Sequence, residues 1–125
     1  MNRRQLRIKV IEYLYQSILL DKDIQAIILD EDLKLLETED PFIVDQLECI
    51  ERFMDVYVRK INSLLNEWTF DRLAIIEQAI LLLAISEFEL ETAEKAIIIN
   101  EAVELSKIYA DDSSYAFING VLDKL

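Results

Sequence analysis

One glycine and one proline among 125 residues leave this chain almost without the residues that form tight turns between β-strands. Apolar side chains make up 53% of the sequence, which is enough to fill a core. In most segments they recur at the three- and four-residue intervals of one helix face. The sequence therefore predicts an all-α protein of six to seven helices.

The first half of the chain shows three helical patterns. Residues 4–20 carry apolar side chains on two sides, so this helix is central or also contacts another chain. Asp21 or Asp23 is placed to cap a second helix. Its predicted inner face consists of Ile24, Ile27, Ile28 and Leu35. Pro41 suits the first turn of a third helix, whose apolar stripe continues to Leu65.

The second half predicts three more helices. Thr69 or Asp71 is expected to cap a helix that runs to about residue 89 and is apolar almost all round. Another helix is expected over residues 93–109. The last is preceded by a run of capping residues, 111–114, and its predicted inner face consists of Ile118, Val121, Leu122 and Leu125. We expect two packed sub-bundles, formed by residues 1–66 and 67–125.

Several kinds of active site are excluded by composition. The absence of histidine removes the commonest general base and rules out Ser-His and Cys-His nucleophiles within this chain. Cys49 is the only cysteine, which excludes an intrachain disulfide and a cluster of thiolate ligands. A single glycine excludes a glycine-rich phosphate loop. We therefore expect no enzyme activity, no metal site and no cofactor.

The net charge of −12 argues against general affinity for a polyanion. The first nine residues are an exception, because they contain Arg3, Arg4, Arg7 and Lys9 and no acidic residue. Cations in the first turn of a helix oppose its macrodipole. Contact with phosphate groups would explain them, and a solvated tail is the alternative.

The location of the protein is predicted from what its segments lack. No apolar run reaches the roughly 20 residues that a membrane-spanning helix needs. The basic N-terminus is not followed by a small-residue cleavage site, which argues against a signal peptide. We expect a cytoplasmic protein.

The single glycine, Gly120, stands inside the apolar run "SSYAFINGVL". Glycine in a helix interior costs about 1 kcal/mol relative to alanine. Close approach of a neighbouring backbone is a common compensation. We therefore expect the last helix to pack tightly against another helix at Gly120, with Asn119 bonding a nearby loop or helix end.

The C-terminal third resembles a known family. The stretches "IIINEAVELSKIY" and "DDSSYAFINGVLDKL" are similar, in order and spacing, to two motifs of the NusB family. The opening "RRQLRIKVIEYLYQ" and the segment "WTFDRLAIIEQAILLLAISEFE" also resemble that family. The resemblance implies two helical sub-bundles. It also implies an antitermination factor that binds boxA RNA of nascent ribosomal RNA transcripts together with the small-subunit ribosomal protein NusE.

The resemblance also implies which residues bind, within the antitermination complex of RNA polymerase. The residues at RNA-binding positions are Arg3, Arg4, Arg7, Tyr109, Ser113 and Phe117. The residues at positions that contact the ribosomal protein, which is basic, are Tyr15, Asp71 and Glu77. Ordinary core roles for the two aromatic residues and a simple helix cap for Ser113 are the alternatives.

A second function stays open at this point. Leu82 and Ala116 stand where the family often has basic residues, and each such loss removes a phosphate contact. The alternative is a divergent protein-interaction module of the same fold, homodimeric and with little or no RNA binding. A similar helical domain precedes ribosomal RNA cytosine methyltransferases, but these 125 residues contain no cofactor motif.

Overall fold

The computed structural model describes residues 1–125 and contains seven α-helices and no β-strand, which confirms the predicted fold class. In chain order the helices are α1 (Arg3–Leu19), α2 (Ile24–Ile28), α3 (Leu35–Thr38), α4 (Pro41–Leu64), α5 (Ile75–Leu90), α6 (Lys95–Tyr109) and α7 (Ser114–Asp123). A 3-10 turn, Phe70–Arg72, lies between α4 and α5.

Helix α5 lies at the centre of the molecule. Every residue from Gln78 to Glu87 is buried, in agreement with its apolar sequence. Helices α1, α4, α6 and α7 all pack against it. A helix that is apolar all round is stable in water only when neighbours surround it. Helices α1, α4, α6 and α7 are therefore arranged around α5.

Helix α1 is central to the fold, as its two apolar sides predict. It packs against α5, α4 and α2. Since α1 contacts helices before and after the α4–α5 loop, the division into sub-bundles 1–66 and 67–125 stays a prediction.

The predicted second helix is divided. Asp23 caps α2 by accepting a hydrogen bond from the Gln25 N–H, and the four residues of the predicted inner face are all buried. However, α2 has only five residues, and Lys34 adopts a left-handed conformation with φ 50° just before α3. This turn separates Leu35 from the other three residues of that face.

Helix α4 begins as predicted. Pro41 occupies its first turn, and Asp40 accepts a hydrogen bond from the Phe42 N–H at 2.8 Å. The helix bends at Phe53, whose backbone is not helical. On the inner side, the Cys49 thiol lies 3.1 Å from the Tyr57 hydroxyl. Burial raises the pKa of Cys49, so the thiol stays protonated and poorly reactive.

The predicted start of α5 is wrong. Thr69 and Asp71 bond to each other; Thr69 precedes the 3-10 turn and Asp71 lies within it, so neither caps α5. The helix starts at Ile75, after Ala74. Glu77 then supplies the missing cap, because its Oε1 accepts a hydrogen bond from the Ala74 N–H at 3.1 Å.

The last helix agrees with its pattern but not with its predicted cap. Ile118, Val121 and Leu122 are buried, and Leu125 is half-buried. Ser113 precedes the first helical residue, yet no side chain caps the backbone of α7.

The prediction of close packing at Gly120 is wrong. A Cβ placed on Gly120 would meet no atom within 4 Å, and the residue is exposed. Asn119 bonds within its own helix, donating to Asp123 at 3.3 Å. Because Ile118, Val121 and Leu122 face the core, Gly120 falls on the outer side of α7.

None of the helices has both the length and the apolar character that crossing a membrane requires.

Candidate RNA and partner interface

Arg7 lies in the core, although the family resemblance predicts that its side chain contacts RNA. Only 5% of the residue is exposed. Its guanidinium donates hydrogen bonds to the Glu87 carboxylate from both Nε and Nη2, each at 2.9 Å. A second carboxylate, Glu101, lies 3.6 Å from Nη1. Arg7 is therefore a structural cation joining α1 to α5 and α6, with little surface left for phosphate.

Arg4 is also paired with a carboxylate, but closer to solvent. Its Nε and Nη2 donate to Glu101 at 3.1 and 3.0 Å, and 42% of its side chain is exposed. The hydrogen bonds from Arg4 hold the pKa of Glu101 below its usual value. Contact with RNA at Arg4 would have to share or replace this pair.

Arg3 and Lys9 complete the basic N-terminal segment. The Arg3 guanidinium lies over the Phe42 ring, 4.3 Å from its centroid, and forms no salt bridge. Lys9 donates to Glu39 at 3.1 Å, and this hydrogen bond raises the pKa of Lys9. Arg3 is thus the one N-terminal cation without a carboxylate partner.

Tyr15 and Tyr109 lie in one groove between α1, α5 and α6. We call this the tyrosine groove; it has a volume of about 220 Å³ and is lined by Ile8, Ile11, Glu12, Tyr15, Gln16, Ile76 and Tyr109. Both tyrosines are exposed, at 39% and 48%. The structure therefore brings together a predicted partner contact and a predicted RNA contact that are far apart in sequence.

A second groove lies at the start of α7. This serine groove has a volume of about 350 Å³ and is lined by Trp68, Arg72, Leu73, Ala74, Glu77, Asp111, Ser113, Ser114 and Phe117. It contains three residues that the sequence singles out, namely Glu77, Ser113 and Phe117. Ile76 lines one groove and its neighbour Glu77 the other, so both grooves border the first turn of α5.

Glu77 has internal contacts that the sequence does not reveal. While one carboxylate oxygen caps α5, the other accepts a hydrogen bond from the Ser114 hydroxyl at 2.8 Å. Glu77 thereby fixes the start of α7 relative to α5. Asp71 lies nearby in sequence, is exposed, and bonds to Thr69. It lines neither groove.

Sequence reasoning missed the surface on the other side of Trp68. A third groove, the glycine groove, runs between the end of α4 and α7. Its volume is about 360 Å³, and it is lined by Leu64, Leu65, Asn66, Glu67, Trp68, Ala116, Phe117, Gly120, Val121 and Lys124. The sequence feature that could have identified this groove is Trp68, the only tryptophan of the chain, which stands in the irregular segment before α5.

Comparison with known proteins identifies relatives along the full length. The model of the NusB family matches residues 1–125. The chain is 34% identical to the transcription antitermination protein NusB of Oceanobacillus iheyensis, over 100% of this chain and 98% of that protein. It is 40% identical to the protein of the same name from Campylobacter lari, over 98% of this chain and 94% of that protein.

Two solved structures share the fold. The NusB of T. maritima superposes with a TM-score of 0.82 at 28% identity, covering 99% of this chain and 89% of that one. A chain from the crystal structure of a plectonemic RNA supercoil superposes with a TM-score of 0.77, covering 98% of this chain and 91% of that one. At 22% identity the second likeness concerns the fold alone.

Proposed function

Because this chain belongs to the NusB family, we propose that it binds boxA-type RNA of nascent ribosomal RNA transcripts together with the small-subunit ribosomal protein NusE. In this role the protein acts without enzyme activity or cofactor, within the cytoplasmic antitermination complex of RNA polymerase. RNA and the ribosomal protein bind to neighbouring surfaces of the same molecule.

The observation that carries the proposal is that the tyrosine groove and the serine groove both border the first turn of α5. Residues from α1, α5, the end of α6 and the start of α7 line these two grooves. They include Tyr15, Glu77, Tyr109, Ser113 and Phe117, which come from four separate segments. The two grooves can therefore hold a protein partner and an RNA strand on the same molecule.

The tyrosine groove suits the protein partner. Ile8, Ile11 and Ile76 give it an apolar lining, while Tyr15 and Glu12 provide polar groups. Interfaces of this kind combine an apolar centre with aromatic anchors. The acidic charge of the chain favours encounter with a basic ribosomal protein.

The serine groove and the N-terminus of α1 suit the RNA. Phe117 is half-buried, which leaves one part of its ring accessible for stacking on an unpaired base. Arg3 is available to a phosphate at the other end of α1, and Arg4 is half-exposed. Arg4, Arg7 and Lys9 are each paired with a glutamate and the chain has a net charge of −12, so the basic partner supplies much of the positive charge that RNA binding needs.

The partner surface is tested with Tyr15→Asp, using calorimetry with purified ribosomal protein. A carboxylate in the apolar groove would lose its hydration on binding, so we expect at least about a tenfold loss of affinity. Tyr115→Asp is the matched control, since Tyr115 has similar exposure and lines neither groove. Equal affinity of both variants would place the partner elsewhere.

A second candidate function is favoured by one observation. Arg4, Arg7 and Lys9 are each paired with a glutamate, so little of the N-terminal positive charge is free. In this alternative the chain is a protein-interaction module, homodimeric and without RNA binding. Sedimentation of the protein alone and titration with RNA distinguish the two candidate functions. A stable dimer that does not bind boxA-type RNA would favour the protein-interaction module.

A further inference from the structure

The glycine groove is an open surface bounded by aromatic rings. Trp68 lies in the segment after α4 and is 57% exposed, which is high for so large an apolar side chain. Phe117 lines the opposite part of the groove from α7. Because both rings also line the serine groove, the two grooves lie on either side of this aromatic pair.

Gly120 keeps space in this groove that any other residue would fill. A Cβ at this position would meet nothing within 4 Å, so neither close packing nor a special backbone angle explains the glycine. A helical glycine nevertheless costs stability relative to alanine. The remaining physical effect of Gly120 is to leave the groove open, and its volume of about 360 Å³ is sufficient for a small ligand group.

The cations near the aromatic pair differ from Arg4, Arg7 and Lys9, which are paired with glutamates. Lys124 lines the glycine groove, and Arg72 lines the serine groove. Neither side chain forms a salt bridge or a hydrogen bond within the protein. Carboxylates line both grooves as well, Glu67 in the glycine groove and Glu77 and Asp111 in the serine groove. Lys124 and Arg72 are the cations of these grooves, and they offer positive charge to a phosphate beside the exposed ring of Trp68 and the half-buried ring of Phe117.

We propose that the glycine groove binds one unstacked nucleobase of single-stranded RNA, with the base against Trp68 and Phe117 and its phosphate near Lys124. This inference rests on the proposed function and extends it, since it assigns RNA contacts to Trp68, Gly120 and Lys124. The strand then passes from the serine groove across the aromatic pair, with Arg72 near the preceding phosphate.

A nucleobase fits this groove better than a protein side chain. Bases present a flat π-face that stacks on aromatic rings, and each is joined to a phosphate that a nearby lysine can bind. A basic partner would instead bring its own cations close to Lys124 and Arg72. The like charges would oppose docking of the ribosomal protein here.

The single tryptophan provides a direct test. Because Trp68 is the only tryptophan of the chain, its fluorescence reports on the aromatic pair and on the two grooves beside it. The variant Gly120→Leu, which fills only the glycine groove, shows which of the two grooves the RNA occupies. Unlabelled boxA-type RNA is titrated into the complex with the ribosomal protein, from which any tryptophan has been removed, while calorimetry measures total binding. We expect saturable quenching of Trp68 that follows the calorimetric curve. Among RNAs with single abasic substitutions, one position should abolish the quenching.

Two substitutions on α7 separate the groove from the rest of the helix. Gly120→Leu fills the groove, and RNA affinity should fall about five- to 150-fold, the equivalent of one stacked base. Asn119→Leu is the matched control, because it places the same side chain on the adjacent residue outside the groove. It should bind RNA with the original affinity. Circular dichroism checks that both variants keep their helices.

Each outcome decides the question. Loss of quenching and affinity in Gly120→Leu alone supports the nucleobase site. RNA binding without quenching, or an unchanged affinity of Gly120→Leu, would reject this site and leave the proposed function intact. Quenching by the ribosomal protein without RNA would assign the groove to that protein and overturn the inference. No RNA binding by the unaltered complex would reject the proposed function itself.

Discussion

Arg7 and Glu87 are 80 residues apart in the chain and form a buried pair that joins α1 to α5. A buried charge without its partner loses hydration and gains nothing in return, so breaking such a pair costs about 3–5 kcal/mol. The Glu87 carboxylate also accepts a hydrogen bond from the Thr92 hydroxyl, at 2.7 Å. The role of Arg7 is therefore to position the N-terminal helix.

We predict that Arg7→Met lowers the free energy of unfolding by about 3–5 kcal/mol and leaves the salt dependence of RNA binding unchanged. Arg3→Met, the matched control at an exposed site, should scarcely change stability and should lower the salt slope by about 0.7. Denaturant unfolding and RNA titration at several salt concentrations measure the two effects. The double variant Arg7→Met, Glu87→Leu should recover part of the lost stability.

A second prediction at this scale concerns Gly120. With open space around its Cβ, Gly120→Ala should raise the free energy of unfolding by about 0.5–1 kcal/mol, because alanine favours the helix. Ala116→Gly, on the same exposed side of α7, should lower it by a similar amount. Urea unfolding tests both. A destabilised Gly120→Ala would mean that the outer side of α7 is crowded.

These two residues show the limit of reading single residues from sequence. The sequence correctly identifies both as unusual, an arginine near the start of a helix and a lone glycine in a helix. Their partners are decided by the fold, which brings Glu87 to Arg7 and leaves nothing beside Gly120. Tyr15 and Tyr109 are similar, since no local pattern predicts that they share a groove.

At the scale of whole helices, local sequence signals predicted the first residue of a helix correctly where the sequence offered only one candidate start. Pro41 predicts the start of α4 and the structure confirms it, with Asp40 as the cap that the structure adds. For α5 the cap residues Thr69 and Asp71 belong instead to a 3-10 turn, and the helix begins at Ile75 with the help of Glu77. Both starts are consistent with the sequence, and tertiary packing selects between them.

The cap of α4 leads to a stability prediction. Asp40→Ala removes the acceptor of the Phe42 N–H and should lower the free energy of unfolding by about 1 kcal/mol. Asp45→Ala is the control, because Asp45 lies exposed on the same helix and makes no side-chain hydrogen bond. Thermal unfolding of both variants tests the cap. Equal melting temperatures would show that Pro41 alone sets the start of α4.

The contact between α1 and α6 predicts a dependence on pH. Since Arg4 lowers the pKa of Glu101 in the folded protein, this carboxylate stabilises the fold above its unfolded pKa. That contribution is lost as the pH falls through the lower, folded value. Glu101→Gln should therefore be less stable than the unaltered protein at neutral pH, and the difference should shrink below about pH 4. Glu104→Gln removes an exposed ion pair with Lys107, so its free energy of unfolding should differ little from that of the unaltered protein at either pH.

At the scale of the whole molecule, the distribution of charge and the surface grooves have the same implication for RNA binding. An acidic chain pairs most of its N-terminal basic side chains internally and has two grooves with apolar and aromatic linings beside the first turn of α5. Binding to RNA therefore depends on a basic partner that contributes cations at the adjoining surface. RNA affinity should be weak for the protein alone and strong for the pair.

The most direct measurement is a titration of labelled boxA-type RNA at two salt concentrations, with and without the ribosomal protein. We predict weak binding alone, tight binding with the partner, and an affinity that falls as salt rises, because phosphate contacts release counterions. Absence of RNA binding in both cases, with the partner still bound, would contradict RNA recognition and identify a protein-interaction module.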